Sequence, residues 1–353
     1  MATQSQDVPP YPLYDTTFNL YRASPLYTGN DSGLDDLTLR QQAAKFRDIL
    51  VGDVLRGVRV GLEPEDGTLA YSGALQTVTW TLLPAEERWK GQLDTQSVGD
   101  EDTTINLSDG VGLLVTVAYE KIQYTAVLLR AIRGGNWDET TAGVELDEGF
   151  EHFPLLLVKM PASLRETFVD FLSTTFDARI SPLQFPSAYV TTTFEQYLAY
   201  ICVGEDGEPL DTGESTRAMK KIVGGIEVYV GFDLPGGSST LKTIDIKISK
   251  EDLPRIISRG KTIQNGKEDA PLWNALTAYV NAHLALDLNH DRVRIMRIAC
   301  DAFVFGAEGK IKLFHPDANA DEDGPQRRTT KRFLGSLIDV AKGNTLSKSL
   351  QGD

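Results

Sequence analysis

The chain of 353 residues has two cysteines, four histidines and no apolar run near the roughly 18 residues needed to cross a bilayer. Cys202 and Cys300 are too few for a disulfide framework, which suits a reducing compartment. Neither cysteine belongs to a C-x-x-C pair and no histidine pair has helical ligand spacing, so no metal site is predicted. The opening MATQSQDVPPYP lacks a basic start and an apolar stretch, so no secretory signal is predicted.

The sequence also lacks the motifs of common enzyme chemistry. It contains no phosphate-binding G-x-x-x-x-G-K-[ST] loop, no G-x-G-x-x-G between a strand and a helix, and no G-x-S-x-G nucleophile turn. Adjacent carboxylates such as Asp35/Asp36 and Glu86/Glu87 do not require an acid–base role. Exposure to solvent or a favourable position near the start of a helix explains their presence. We therefore predict no catalytic residue and no cofactor, and expect a protein that is not an enzyme.

Acidic residues dominate the charge: 50 Asp and Glu against 35 Lys and Arg give a net charge of −15. This total argues against a whole-surface binder of polyanions. Residues 1–216 hold 33 acids and 14 bases, a net of −19, whereas residues 217–353 hold 17 acids and 21 bases, a net of +4. We predict an acidic N-terminal subdomain, 1–216, and a mildly basic C-terminal subdomain, 217–353. Chance clustering of surface charge explains the same asymmetry without a functional meaning.

Hydrophobic periodicity predicts an α+β fold, with antiparallel β-sheets flanked by a few helices. Strands are predicted at 14–22, 54–62, 74–83, 111–118, 124–132, 153–160, 226–232, 241–248, 292–299, 302–305 and 310–314. Helices are predicted at 34–49 with Gly52 as C-cap, from 163 to 176, from Thr192 to 201, and at 251–263, 271–286 and 333–340. The helix starts at 163 and 192 rest on the capping-box pairs Ser163/Glu166 and Thr192/Glu195. The acidic stretches 84–110, 133–151 and 204–215 are predicted loops.

Two basic constellations are candidate contact sites. In a strand, Arg292 and Arg294 share one face, and Arg297 joins the opposite, apolar face unless a bulge intervenes. Such a strand suits a sheet edge that meets an acidic partner or phosphate, although charge also protects an edge strand from aggregation. The second constellation is a weak nuclear-import signal, a phosphate-contacting patch or a generic surface cluster. It supplies the candidate contacts to DNA or an acidic partner: Arg327, Arg328, Lys331 and Arg332.

An ordered set of blocks resembles the CENP-L family of the inner kinetochore, in particular its fungal members. The run PLYDTTFNLYRASPLY at 12–27 is followed by RGVRVGL at 56–62, YEKIQYTAVLLR at 119–130 and FPLLLVKMPASLRETFVDFLSTTFDARISPLQFPSAYV at 153–190. SRGK at 258–261 and the stretch 275–313, with AHLALDLNH and RIACDAFVFG, complete the set. No single block is a chemical motif, so the specificity lies in the order of the blocks over most of the chain.

The resemblance implies a non-enzymatic subunit of the constitutive centromere-associated network, located in the nucleus at the centromere and active in chromosome segregation. It implies curved antiparallel sheets similar to those of CENP-N and CENP-L. It also implies a heterodimer with a CENP-N-like subunit, in a complex with CENP-C that touches centromeric nucleosomes or DNA. The C-terminal strands would take part in pairing, here within 292–314. The interface residues of this hypothesis are Arg292, Val293, Arg294, Ile295, Ile298, Phe303 and Phe305.

Alternatives from other classes stay open at this point. An α+β enzyme with an unrecognised active site would have a deep pocket of convergent polar groups with perturbed pKa values. An independent DNA-binding protein would bind DNA with an affinity that falls as the salt concentration rises. The acidic net charge of the chain disfavours this alternative. A homodimer in isolation is also open.

Overall fold

The computed structural model describes residues 10–29, 34–55, 72–89, 110–130, 149–204, 206–233, 242–264, 266–316 and 324–343. Within these residues the fold is α+β with antiparallel strand pairing, which confirms the predicted class. The strands are β1 (Thr17–Ala23), β2 (Leu26–Tyr27), β3 (Leu75–Pro84), β4 (Gly110–Tyr119), β5 (Gln123–Leu129), β6 (Phe150–Glu151), β7 (Leu155–Lys159), β8 (Ile180–Pro182), β9 (Ile226–Phe232), β10 (Thr243–Ile248), β11 (Val293–Ala299), β12 (Phe303–Gly306) and β13 (Lys310–Leu313). The helices are α1 (Asp36–Leu55), α2 (Ala162–Thr175), α3 (Ser187–Ile201), α4 (Thr212–Ile222), α5 (Leu253–Gly260), α6 (Pro271–Leu284) and α7 (Pro325–Lys342).

The chain forms two compact units. The first comprises Met1–Leu13, Phe18–Pro182 and Leu337–Asp353, and the second comprises Tyr14–Thr17 and Leu183–Ser336. The charge divide at 216/217 therefore lies within the second unit, inside α4. The subdomains 1–216 and 217–353 stay a prediction drawn from charge.

The first unit is built on antiparallel strands in the order β1-β7-β5-β4-β3, with β8 added beside β1. Strand β7 pairs with β1 and β5, and its first four residues, Leu155 to Val158, are buried. A strand buried on both faces reads as a continuous apolar run, which is why FPLLLVKM predicts it. A core of α1, α2 and the sheet holds an aromatic cluster: Phe46, Trp80, Phe168, Phe171 and Phe176.

The second unit is built on antiparallel strands in the order β10-β9-β11-β12-β13. One face of this sheet is apolar and packs against helices. The ring of Phe303 lies 4.8 Å from that of Tyr197 on α3 and 4.7 Å from that of Phe333 on α7. The opposite face carries polar side chains, as expected of an antiparallel sheet covered on one side.

Several element boundaries differ from the predictions. Helix α1 continues through Gly52 to Leu55, so Gly52 is not a C-cap and the predicted strand does not begin at Val54. The rest of that strand, 56–62, lies outside the described residues. Helices α2 and α3 begin directly after the N-cap residues Pro161 and Pro186, and neither has a side-chain cap, because a proline side chain contains no hydrogen-bond acceptor. Neither predicted capping box forms.

The acidic stretches differ among themselves. Large parts of two predicted loops, 90–109 and 131–148, lie outside the described residues. The third, 204–215, is joined through Pro209 to Val203 by an isolated β-bridge and contains the first residues of α4. The carboxylate of Asp211 accepts the backbone N–H of Glu214 over 2.7 Å and so caps this helix.

Candidate interaction surfaces of the second unit

The structure divides the predicted interface residues into a buried and an accessible group. Arg292 and Arg294 are exposed and Val293 is half-buried, so these three are accessible to a partner. Their part in pairing stays a prediction. The other four belong to the apolar core and in the isolated chain stabilise the second unit; their exposed fractions are 1% for Ile295, 2% for Ile298, 1% for Phe303 and 1% for Phe305.

Strand β11 does not form the expected edge. It pairs with β9 on one side and with β12 on the other. The backbone N–H of Ile295, which lies beyond the β12 pairing, donates to the hydroxyl of Ser187 over 3.0 Å. A partner strand therefore has no free edge to join at β11. Among the described residues, β10 forms one end of this sheet and has β9 as its paired neighbour.

A β-bulge decides where Arg297 points. The register of β11 against β9 shifts between Ile295 and Arg297, so one extra residue, Met296, lies in β11. The bulge reverses the alternation and places Arg297 on the solvent face. The alternating sequence pattern places Arg297 on the apolar face unless a bulge intervenes, and the structure contains that bulge.

Arg297 belongs to a polar ladder on the solvent face of β9, β10 and β11. Its guanidinium carbon lies 3.8 Å from the centroid of the Tyr229 ring. The Tyr229 hydroxyl donates to Glu227 over 2.6 Å, and Lys247 donates to the same carboxylate over 2.7 Å. The hydrogen bond from Lys247, together with that from Tyr229, lowers the pKa of Glu227. Glu227 is thus matched by a nearby cation, Lys247.

The basic cluster at 327–332 lies in α7, which begins at Pro325 and therefore before the predicted helix start at 333. Arg327 is 5% exposed and Lys331 is half-buried. Arg328 donates to the Val203 carbonyl over 3.4 Å, while Arg332 lies 4.7 Å above the Tyr200 ring. These contacts place the cations at the carbonyl end of α3, where a helix attracts positive charge. Arg332 is the exposed member, and the cluster's contacts with DNA or an acidic partner stay a prediction.

A cleft of about 720 Å³ between α3 and α6 contains the most perturbed carboxyl group of the second unit's described residues. Glu195 is 5% exposed, and its Oε1 accepts the backbone N–H of Trp273 over 2.7 Å. Burial is the main cause that raises the pKa of Glu195 to about 7; the bond from Trp273 opposes it and the nearby charge of Asp269 adds to it.

The hydrogen bonds of Glu195 give this buried carboxyl group a role in the fold. Pro271 begins α6 and has no N–H, so Leu272 and Trp273 supply the first backbone donors of that helix, and both interact with the Glu195 carboxylate. Glu195 therefore caps α6 from a neighbouring helix. A buried carboxyl in a cleft is also the kind of group that a hidden active site would contain. Here its oxygens are directed at backbone donors of the fold.

Among the described residues, the two cysteines show no sign of a reactive site. Burial raises the pKa of the Cys300 thiol and of the Cys202 thiol, which disfavours the nucleophilic thiolate. Within the described ranges, no group of three or more His, Cys, Asp or Glu residues is arranged to hold a metal ion. Of the helices that the structure describes, none is sufficiently long and apolar to cross a membrane.

Comparison with known proteins identifies the family. A search of curated proteins finds no match. The family model of centromere protein L, CENP-L, matches residues 12–342, which is nearly the whole chain and includes residues of both compact units. CENP-L proteins are structural subunits of the kinetochore, located at centromeres in the nucleus and concerned with chromosome segregation. The chain therefore belongs to the CENP-L family and is a centromeric kinetochore protein.

Proposed function

We propose that the chain is a non-enzymatic structural subunit of the inner kinetochore that pairs with a CENP-N-like subunit and helps to link centromeric chromatin to the kinetochore. The observation that carries this proposal is the family match over residues 12–342. Other inner-kinetochore subunits, including CENP-C, are the further proposed partners. Contact with centromeric nucleosomes or DNA takes place within the complex, and a homodimer is the alternative assembly of the isolated chain.

The end strand β10 supports pairing by strand addition. Its outward edge has no strand partner among the described residues, so main-chain N–H and C=O groups are available to an extended segment. Thr243 of β10, Gly231 of β9 and Arg294 of β11 lie in one row across the sheet. The proposed surface therefore joins the β10 edge to the accessible residues Arg292, Val293 and Arg294.

The test is co-purification with the CENP-N homologue of the same organism after co-expression. The wild-type chain is expected to form a stable complex, measured by size-exclusion chromatography with light scattering. Ile246 of β10 is half-buried at the sheet end, and Ile246→Lys adds an inward-pointing charge, which blocks strand addition. Ser258→Lys adds the same charge at an exposed position on α5 and is the matched control.

Loss of the complex in Ile246→Lys, with retention in Ser258→Lys, would support the proposed edge. Circular dichroism must show that both variants stay folded. Undiminished co-purification of a folded Ile246→Lys variant would refute the role of β10. Failure of the wild-type chain to bind the CENP-N homologue would refute the pairing itself.

A further inference from the structure

Two cations flank a glycine on the solvent face of the second unit's sheet. Gly306 of β12 pairs with Arg297 of β11 on one side and with Lys310 of β13 on the other. Residues directly opposite each other in antiparallel strands point to the same face. Since neighbouring strands lie about 4.8 Å apart, the Arg297 and Lys310 positions are about 10 Å apart, and the β12 residue between them, Gly306, has no side chain.

The next row of the same face adds a third cation and a small-residue floor. Val304 of β12 pairs with Ala299 of β11 and with Lys312 of β13. The Nζ of Lys312 lies 4.6 Å from the centroid of the Phe314 ring. Arg297, Lys310 and Lys312 thus border a shallow floor of Gly306, Ala299 and Val304. We call this surface the β11–β13 cationic face.

A carboxylate of the chain itself occupies part of this face. Glu308, in the turn between β12 and β13, lies so close to Gly306 that a Cβ there would collide with its carboxylate. The Oε1 of Glu308 lies 3.8 Å from the Nζ of Lys310, and the side chains are 44% and 53% exposed. An exposed pair at this distance contributes little free energy, so an incoming carboxylate can displace it.

From this geometry we infer that the β11–β13 cationic face docks an extended acidic segment of a partner protein. Alternate side chains of an extended peptide lie about 6.6–7 Å apart, which matches the spacing of Lys310 and Lys312 along β13. Carboxylates at alternate positions of the segment therefore meet both lysines and displace Glu308. Arg297, held by its stacking on Tyr229, anchors the other side of the face.

The same surface suits an acidic peptide better than a nucleic acid. Asp245 lies on β10, four strands from β13, and would oppose a long phosphate backbone that continued across the sheet, whereas a short segment along β13 does not extend that far. The position above Gly306 has room for a carboxylate, because the carboxylate of Glu308 lies there.

The experiment measures fluorescence anisotropy of a short labelled peptide of alternating Glu and Ser, added to the purified full chain. The comparison peptide carries Gln in place of each Glu. We expect binding of the Glu peptide that weakens between about 50 mM and about 300 mM salt, because salt screens exposed charges. The double variant Lys310→Met/Lys312→Met should weaken binding at least about fivefold, whereas Glu308→Gln should tighten it about two- to threefold.

Arg255→Met, at an exposed position on α5, is the matched control and should bind as the wild-type chain does. The inference is overturned if the wild-type chain does not bind the Glu peptide, or if it binds the Gln peptide equally well. It is also overturned if Glu308→Gln leaves binding unchanged while the protein stays folded. Preferential binding of a DNA duplex that requires Lys310 and Lys312 would assign the face to nucleic acid instead.

Discussion

The carboxylate of Glu195 on α3 accepts the backbone N–H of Trp273 on α6 over 2.7 Å. The two residues are 78 positions apart in the chain, so this cap joins two helices that the sequence places far from each other. Proline at the start of α6 leaves the following N–H groups as its first donors. Glu195 therefore couples the packing of α3 to the first turn of α6.

This cap predicts a pH dependence of stability. The folded pKa of Glu195 is raised from 4.5 to about 7, so between these values the folded chain keeps a proton that the unfolded chain releases. Stability should therefore fall as pH rises through this window, by up to about 3 kcal/mol. Glu195→Gln should remove that dependence. The measurement is the free energy of exchange of the α6 amides at pH near 5 and near 8.

The control for this prediction is Glu208→Gln, which changes an exposed carboxyl group in the same unit. It should leave the pH dependence of the wild-type chain in place. Parallel pH profiles of the wild-type and Glu195→Gln proteins would contradict the assignment of the raised pKa to this buried cap.

Burial predicts that Ile298→Asp disrupts folding rather than removing one partner contact. Ile298 is 2% exposed and lies beneath the helices of the second unit, so the substitution buries an unpaired charge. We expect a loss of more than about 4 kcal/mol of stability. Met296→Asp changes a residue of the same strand that is 38% exposed, and should shift stability by about 0.5 kcal/mol or less. Urea unfolding compares the two, and equal stabilities would contradict the described core.

Two glycines should respond in opposite directions to alanine. A Cβ at Gly260, the last residue of α5, would collide with the backbone carbonyl of Pro271, whereas a Cβ at Gly335 in α7 meets open space. Gly260→Ala should cost about 1–3 kcal/mol through overpacking against a backbone group. Gly335→Ala should stabilise α7 by about 0.5–1 kcal/mol. Thermal unfolding followed by circular dichroism tests both, and stabilisation by Gly260→Ala would contradict the close approach.

The basic part of α7 predicts different roles for two arginines. Arg332 is exposed and Arg327 is buried, so Arg332 is the one in a position to neutralise a DNA phosphate. If the complex uses this helix on DNA, Arg332→Gln should reduce the dependence of log affinity on log salt by about one unit, through counterion release. Arg327→Gln should lower stability instead. The measurement is duplex binding by the assembled complex over a salt series. An unchanged slope in Arg332→Gln would exclude this contact.

The sequence predicts the parts of this fold whose signals are local. The continuous apolar run of β7 and the alternating residues of β9 are confirmed as strands, and the apolar spacing after Pro271 is confirmed as a helix. The spacing of apolar residues within each segment is therefore sufficient to predict the α+β class. The ordered CENP-L-like blocks predict the family, which the match over residues 12–342 confirms.

Tertiary structure alone decides which residues of the candidate surface are accessible. The alternating pattern of β11 does not reveal that β9 and β12 occupy both its edges, nor that a bulge turns Arg297 to the solvent face. It also does not reveal that Glu308 folds over Gly306 beside Lys310. Strand order, bulges and caps between distant helices depend on pairings across long stretches of chain. Periodicity within one segment contains no information about those pairings, so the sequence determines the elements and the tertiary structure determines their surfaces.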